Sequence, residues 1–298
     1  MLTVVTTPQI WAHLKSLTLA CAAALTLTAC GGGGGGGGGG SDPAPLANPT
    51  GTAGTGTGTG TLPAGTTNTG TPTAGNPAAG CGVSQAGFTA GNTFTVNAQI
   101  YRADGTVLGT QGLSIVNRAG VTFNAVSTVE AAGTSTATTS GTTVAGQLNS
   151  YNNIVGTNQL QYGVNVQTSG LQINTSYSPP LQRALSPALN VPESQTVTQT
   201  VQTLISAAGG ATSSPPVTSS YSISRVGLAI ETITVPAGTV SVCRSNVDTV
   251  TGGTSSQQTH YTLATGNCKG QIARLVDRVT GRTSFEMTSA TFNGASCV

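Results

Sequence analysis

The chain has 298 residues, of which only 6% are charged, with a net charge of +2. An ordinary soluble domain carries about 25% charged residues, so the polar surface here must be built from Thr, Ser, Asn and Gln. The balance excludes a basic nucleic-acid footprint, because Lys269 is the one lysine beyond the N-terminal segment.

That N-terminal segment has one positive side chain, Lys15, followed by an apolar run from about Leu17 to Leu27. The run is too short for a membrane-spanning helix, which needs about 20 apolar residues. A positive residue, a short apolar run and small residues at its end predict a secretory signal. The stretch Leu27-Thr28-Ala29-Cys30 resembles the lipobox of bacterial lipoproteins. The resemblance implies cleavage before Cys30 and acylation of its thiol. Two or more acyl chains anchor stably, at about 0.8 kcal/mol per buried CH₂. Gly31, not Asp, follows the cysteine. By the same resemblance this implies the outer membrane, on either its periplasmic or its surface side.

Residues 1–29 thus read as a signal peptide, and 30–80 as the lipidated cysteine and a tether. Ten glycines, Gly31 to Gly40, lead into a Gly/Thr/Ala/Pro run whose only large apolar side chains are Leu46 and Leu62. Such a segment cannot bury enough surface to offset its ordering entropy, and is expected to be disordered. A Gly-rich coil of this length has an r.m.s. span of roughly 35–45 Å. No Lys-Ser/Thr follows the glycines, so they are not a phosphate loop.

Residues 81–298 form the predicted folded domain. Phe94, Val96, Ala98 and Ile100 alternate with Thr95, Asn97 and Gln99, the pattern of a half-buried antiparallel strand. Asp104-Gly105 supplies a hairpin turn. Further runs are Val107 to Val116, Val121 to Val129, Leu160 to Val166, Leu171 to Tyr177, Tyr221 to Ile223, Leu228 to Val235, Thr239 to Cys243, Gln271 to Val279 and Thr283 to Phe292. Gly120, Gly133, Gly141, Gly156, Gly170, Gly252-Gly253 and Gly281 mark expected turns. Pro179-Pro180 ends a strand. Glu193 to Ala208 carries apolar residues at helical spacing, but its threonines favour a strand. Gly209 to Thr218 reads as a loop. The expected fold is all-β, with about ten to eleven antiparallel strands. They form either a single curled sheet (a half-barrel) or a β-sandwich.

Cys81, Cys243, Cys268 and Cys297 are an even set in an exported chain, which implies disulfides with three possible connectivities. Cys81 and Cys297 bracket the domain, and Cys243 and Cys268 lie in neighbouring expected strands. The expected pairs are Cys81–Cys297 and Cys243–Cys268. No C-x-x-C spacing is present, so no metal site is expected, and no motif calls for a cofactor.

The segment Glu231-Thr232-Ile233-Thr234-Val235-Pro236-Ala237-Gly238-Thr239-Val240-Ser241-Val242-Cys243 resembles a Val-Pro-Ala-Gly-Thr-aromatic hairpin of bacterial envelope lipoproteins. The resemblance extends over about residues 220–294. It departs at Val240, where those proteins have an aromatic residue, and at His260-Tyr261-Thr262 and Cys268, which replace their Trp segment. It implies a curled β half-barrel whose concave face can hold acyl chains. Physically the segment is a hairpin: Pro236 sets φ at the first turn position and Gly238 relieves the turn.

The chain has no G-x-S-x-G elbow and no H-E-x-x-H. His260 is the one histidine outside the leader, and is expected on an exposed strand face beside Gln257, Gln258 and Tyr261. Arg274, Arg278 and Arg282, with Asp277, form a cluster that could contact an anion or make a salt-bridged strand end. The expected function is therefore a non-catalytic binding or structural β-domain on a lipid anchor. It would bind an apolar ligand, a lipid or another envelope component. The alternatives are a surface adhesion or scaffold module and, less favoured, an envelope hydrolase using His260.

Overall fold

The computed structural model describes residues 80–207 and 210–298. The signal peptide, Cys30 and the tether lie outside the described residues. Fourteen strands make up the domain: β1 Thr93–Tyr101, β2 Val107–Phe123, β3 Val126–Thr139, β4 Thr142–Val155, β5 Asn158–Thr168, β6 Leu171–Ala184, β7 Glu193–Ala207, β8 Gly210–Ser213, β9 Val217–Val235, β10 Gly238–Thr251, β11 Thr254–Leu263, β12 Ile272–Asp277, β13 Thr283–Phe292 and β14 Ala295–Ser296. Each of β1 to β7 pairs antiparallel with the next, β7 pairs with β9, and β9 to β13 continue the meander. β13 then pairs with β1, so the sheet closes into a barrel of 12 strands. The short β8 and β14 extend the edges of β7 and β13. The all-β antiparallel expectation holds. The half-barrel or sandwich of ten to eleven strands is corrected: closure depends on pairing residues 185–198 positions apart, which no local pattern encodes.

The alternation in β1 builds the closing seam. Phe94, Val96, Ala98 and Ile100 sit opposite Phe292, Ala290, Met287 and Phe285, and all eight are buried. Burying a large apolar side chain contributes about 1.5–3 kcal/mol, so the seam is a major source of stability. Twelve strands enclose more space than eight, whose interior side chains just fill. The inward faces supply bulk with Tyr221 and Ile223 on β9, but also polar groups. Asn152 Nδ2 donates to Ser150 Oγ (2.7 Å), Gln159 Nε2 to Asn152 Oδ1 (2.9 Å) and Gln161 Nε2 to Ser150 Oγ (3.1 Å). All four residues are fully buried. Buried amides are tolerated only when bonded in this way.

Several sequence expectations change. Gly133 is no turn. It lies in mid-strand, where a Cβ would sit 2.8 Å from the Leu148 carbonyl and 3.3 Å from Leu113, so the glycine makes room for the core. β6 runs on through Pro179-Pro180, because the β5–β6 register breaks there and no ladder donor is needed. Residues 210–213, expected in a loop, form β8. Glu193 to Ala207 is a strand, as its threonines indicate, with Val197 buried opposite Tyr221. The Val235-Pro236-Ala237-Gly238 turn closes the β9–β10 hairpin as read. Its tip turns onto β13, with Ala237 N–H donating to the Met287 carbonyl (3.1 Å).

Residues 80–92, including a 3-10 turn at Gln85–Phe88, lie across one rim of the barrel. Val83 N–H donates to Leu185 O, Ser84 N–H to Lys269 O, and Asn117 Nδ2 to Gly87 O. Gly82 has φ +114°, and a Cβ there would collide with the Leu185 carbonyl, so only glycine fits. The expected disulfide pairs are both overturned: the bonds are Cys81–Cys243 and Cys268–Cys297. Cys81 packs on Gly227 of β9, beside Cys243 on β10. β14 folds back along β13, and Cys297 N–H donates to Ala290 O, which brings the C-terminus to the β11–β12 loop. Cys243 faces Ile230 and Thr262 in the ladder, and Cys268 lies beyond the end of β11.

Cys81–Cys243 spans 162 residues and Cys268–Cys297 spans 29. By loop entropy they are worth about 5 and about 3–4 kcal/mol respectively. Replacing both Cys81 and Cys243 by alanine should lower the urea midpoint more than replacing Cys268 and Cys297, with m rising in both as the freed unfolded chain exposes more surface. Equilibrium unfolding measures this.

Candidate functional site

The rim segment and the inward residues beneath it enclose a cavity of about 30 Å³. Its chemistry comes from Arg183 near the end of β6, Glu193 at the start of β7, Arg225 on β9 and His260 on β11. The ladder explains the gathering. Glu193 pairs with Arg225, Arg225 with Val247, and Ser245 with His260. Three neighbouring strand pairs thus bring these side chains to one end of the lumen. A second cavity, about 40 Å³, lies between the same segment and Phe94, Ala131 and Asn152. Each has room for only a few waters.

His260 is 4% exposed, not on an exposed face as expected. The local sequence is polar on both sides, and only ring closure turns this parity inward. The imidazole Nε2 lies 3.0 Å from Gln258 Oε1. Burial first, then the Arg183 and Arg225 guanidinium groups, push its pKa down to about 3. The ring is therefore neutral throughout the physiological range. Glu193 Oε1 accepts the Ala184 N–H (3.1 Å) and so closes the β6–β7 connection as well as lining the cavity. Gln161 and Gln199 carry buried side-chain oxygens without a hydrogen-bond partner. These inward amides were missed in the sequence. Gln159 and Gln161 alternate with Leu160 and Tyr162, and that pattern predicts the opposite face.

Arg274 and Arg278 are held in separate ion pairs. Arg274 Nε donates to Glu286 Oε1 (2.7 Å) and Nη2 to the Thr234 carbonyl (2.6 Å), and its guanidinium lies 5.9 Å from the Tyr261 ring centroid. Tyr101 Oη donates to the same Glu286 (2.7 Å). The tyrosine pKa is pushed up to about 12, by burial first and then by this carboxylate. Arg278 Nη1 pairs with Asp248 Oδ1 (2.5 Å) on β10. Arg282 is exposed in the β12–β13 turn. Asp277 caps that turn by accepting from Thr280 N–H and Oγ1. The salt-bridged strand end describes Arg274 and Arg278. Among the described residues, no group of three or more His, Cys, Asp or Glu is placed to hold a metal.

A buried neutral histidine carries a pH signature. His260 has an ordinary value near 6.5 when unfolded and about 3 when folded, so the unfolded state binds the extra proton first. Stability is whole above about pH 6.5 and falls progressively as pH drops towards 3. His260→Gln should flatten that part of the melting-temperature profile. Thermal melts across this range, with wild type and variant compared, check the sign.

No family model and no curated protein sequence matches this chain. Two solved structures share part of its shape. One is a candidate lipoprotein from Parabacteroides distasonis, 15% identical, covering 68% of this chain and 96% of its own, with a TM-score of 0.39. The other is a candidate exported protein with a YmcC-like fold from Bacteroides fragilis, 13% identical, covering 72% of this chain and 100% of its own, with a TM-score of 0.35.

Proposed function

We propose that this is a lipid-anchored protein of the bacterial outer membrane, acylated at Cys30, whose barrel is a non-catalytic binding or scaffold module held on a tether. One observation carries the reading. The barrel is closed at its seam, covered at one rim by residues 80–92 and disulfide-bonded there, while its outer wall is polar. The outward residues of β1 are Thr95, Asn97 and Gln99, and those of β7 are Ser194, Thr196, Thr198 and Thr200. A membrane-embedded barrel needs an outward apolar band about 25 Å tall. The polar wall therefore supports a domain beside the bilayer, joined to it through Cys30.

Of the binding and scaffold versions, the scaffold or adhesion version has the better support. The inward face carries Gln159, Gln161, Gln199, Arg225 and His260, which suit an acyl chain poorly. The hydrolase reading has little to stand on. His260 is buried with its Nε2 held at Gln258 Oε1, beside a cavity of about 30 Å³ that has no room for a substrate.

Metabolic labelling with an alkyne palmitate tests the anchor. The wild-type chain should take up label and sediment with membranes, and Cys30→Ala should lose the label. An unlabelled wild-type chain, or a Cys30→Ala chain that is still labelled, refutes it.

A further inference from the structure

The wall from β4 to β7 differs from the rest of the surface. Across residues 142–184 and 193–207 the charged side chains are Arg183 and Glu193 alone, and both line the rim cavity. The outward face of these four strands is therefore free of charge. It carries two rows of amides in register. Asn149 sits opposite Asn165, Asn165 opposite Asn174, and Asn174 opposite Gln202. The next row runs Gln147, Gln167, Gln172. These residues share the face opposite the buried Leu148, Ser150, Val164 and Val166.

The amides are ordered among themselves. Asn174 Oδ1 accepts from both Asn165 Nδ2 and Gln172 Nε2 (3.1 Å for the latter), and Gln202 Nε2 donates to Ser213 Oγ (3.0 Å). Each amide has two donor hydrogens and two acceptor lone pairs, more than these bonds use. At the row's edge the Phe123 and Tyr151 rings stack at 4.2 Å. Phe123 lies over Gly163, which is opposite Tyr151 in the ladder and could carry no side chain there.

We propose that this wall is a binding surface for a neutral, acetamido-bearing polysaccharide. Four properties point there. A wall without charge offers no attraction to an anionic polymer, and an uncharged one meets no desolvated ion. Amides about 4.8 Å apart along each row, from strand to strand, present repeating donors and acceptors to a repeating chain of hydroxyl and acetamido groups. Asn165, Gln172 and Asn174 are already held by one another, so less side-chain entropy is lost there on binding. The aromatic pair offers a flat apolar surface to the C–H face of a sugar ring. The proposal rests on the scaffold or adhesion reading above and names its ligand class.

The test is calorimetric titration of the full chain in detergent with chitohexaose as the neutral probe and oligogalacturonate as the anionic one. Binding of chitohexaose that is insensitive to salt is expected. Asn174→Ala should weaken it about tenfold, equivalent to one or two hydrogen bonds. Gln147→Ala with Gln167→Ala, at exposed positions that leave the core untouched, should also weaken it. Ser289→Ala, on the distant β13 wall, should leave it unchanged. No binding of chitohexaose, binding that survives both wall variants, or binding of oligogalacturonate that salt abolishes overturns the proposal. Palmitate labelling reports on the anchored-scaffold reading separately, so each can fail without the other.

Discussion

The pairing of β13 with β1 is the constraint on which the rest of this molecule depends. It joins Phe94, Val96, Ala98 and Ile100 to Phe292, Ala290, Met287 and Phe285, and both halves of the seam are apolar and buried. Without it, twelve strands would present two long unpaired edges, an invitation to aggregation. With it, every position in the meander acquires an inside and an outside. The rim segment, the disulfides and the buried histidine are consequences of that division.

Closure also creates a filling problem. A ring of this size has more interior than apolar side chains alone occupy here, and the chain fills the remainder with amides and guanidinium groups. The network through Ser150, Asn152, Gln159 and Gln161 satisfies most of its own polar atoms. Arg183, Arg225, Glu193 and His260 gather under residues 80–92. Such groups are costly to bury singly and acceptable in company. Keeping His260 neutral avoids a third positive charge in the same small space. A lumen occupied in this way leaves the outer wall as the surface open to a partner.

That wall reflects the composition directly. With only 6% of residues charged, a polar exterior has to be made of hydroxyls and amides. Because strands alternate, those residues fall into ranks across neighbouring strands. On β4 to β7 the ranks are of amides, and on β7 and β9 of hydroxyls, where Ser194 bonds Ser224 and Thr196 bonds Ser222 at 2.8 Å. The charged groups that remain are mostly spent on pairs: Arg274 with Glu286, Arg278 with Asp248, Arg118 with Glu130 and Arg244 with Glu231.

By itself the sequence determined what local chemistry can determine. Alternation made Phe94 to Ile100 a two-faced strand. Asp104-Gly105 and Val235-Pro236-Ala237-Gly238 set their turns, and the threonines of residues 193–207 selected a strand over a helix. Only the tertiary structure decided which strand met which across the whole chain. Closure turned His260 inward although its neighbours are polar. It paired Cys81 with Cys243 and Cys268 with Cys297 against their positions in sequence, and it used Gly133 as a gap for Leu113, not as a turn. The physical reason is one of range. Dihedral preferences and side-chain periodicity act over a few residues, whereas the seam joins residues 185–198 positions apart and Cys81–Cys243 spans 162.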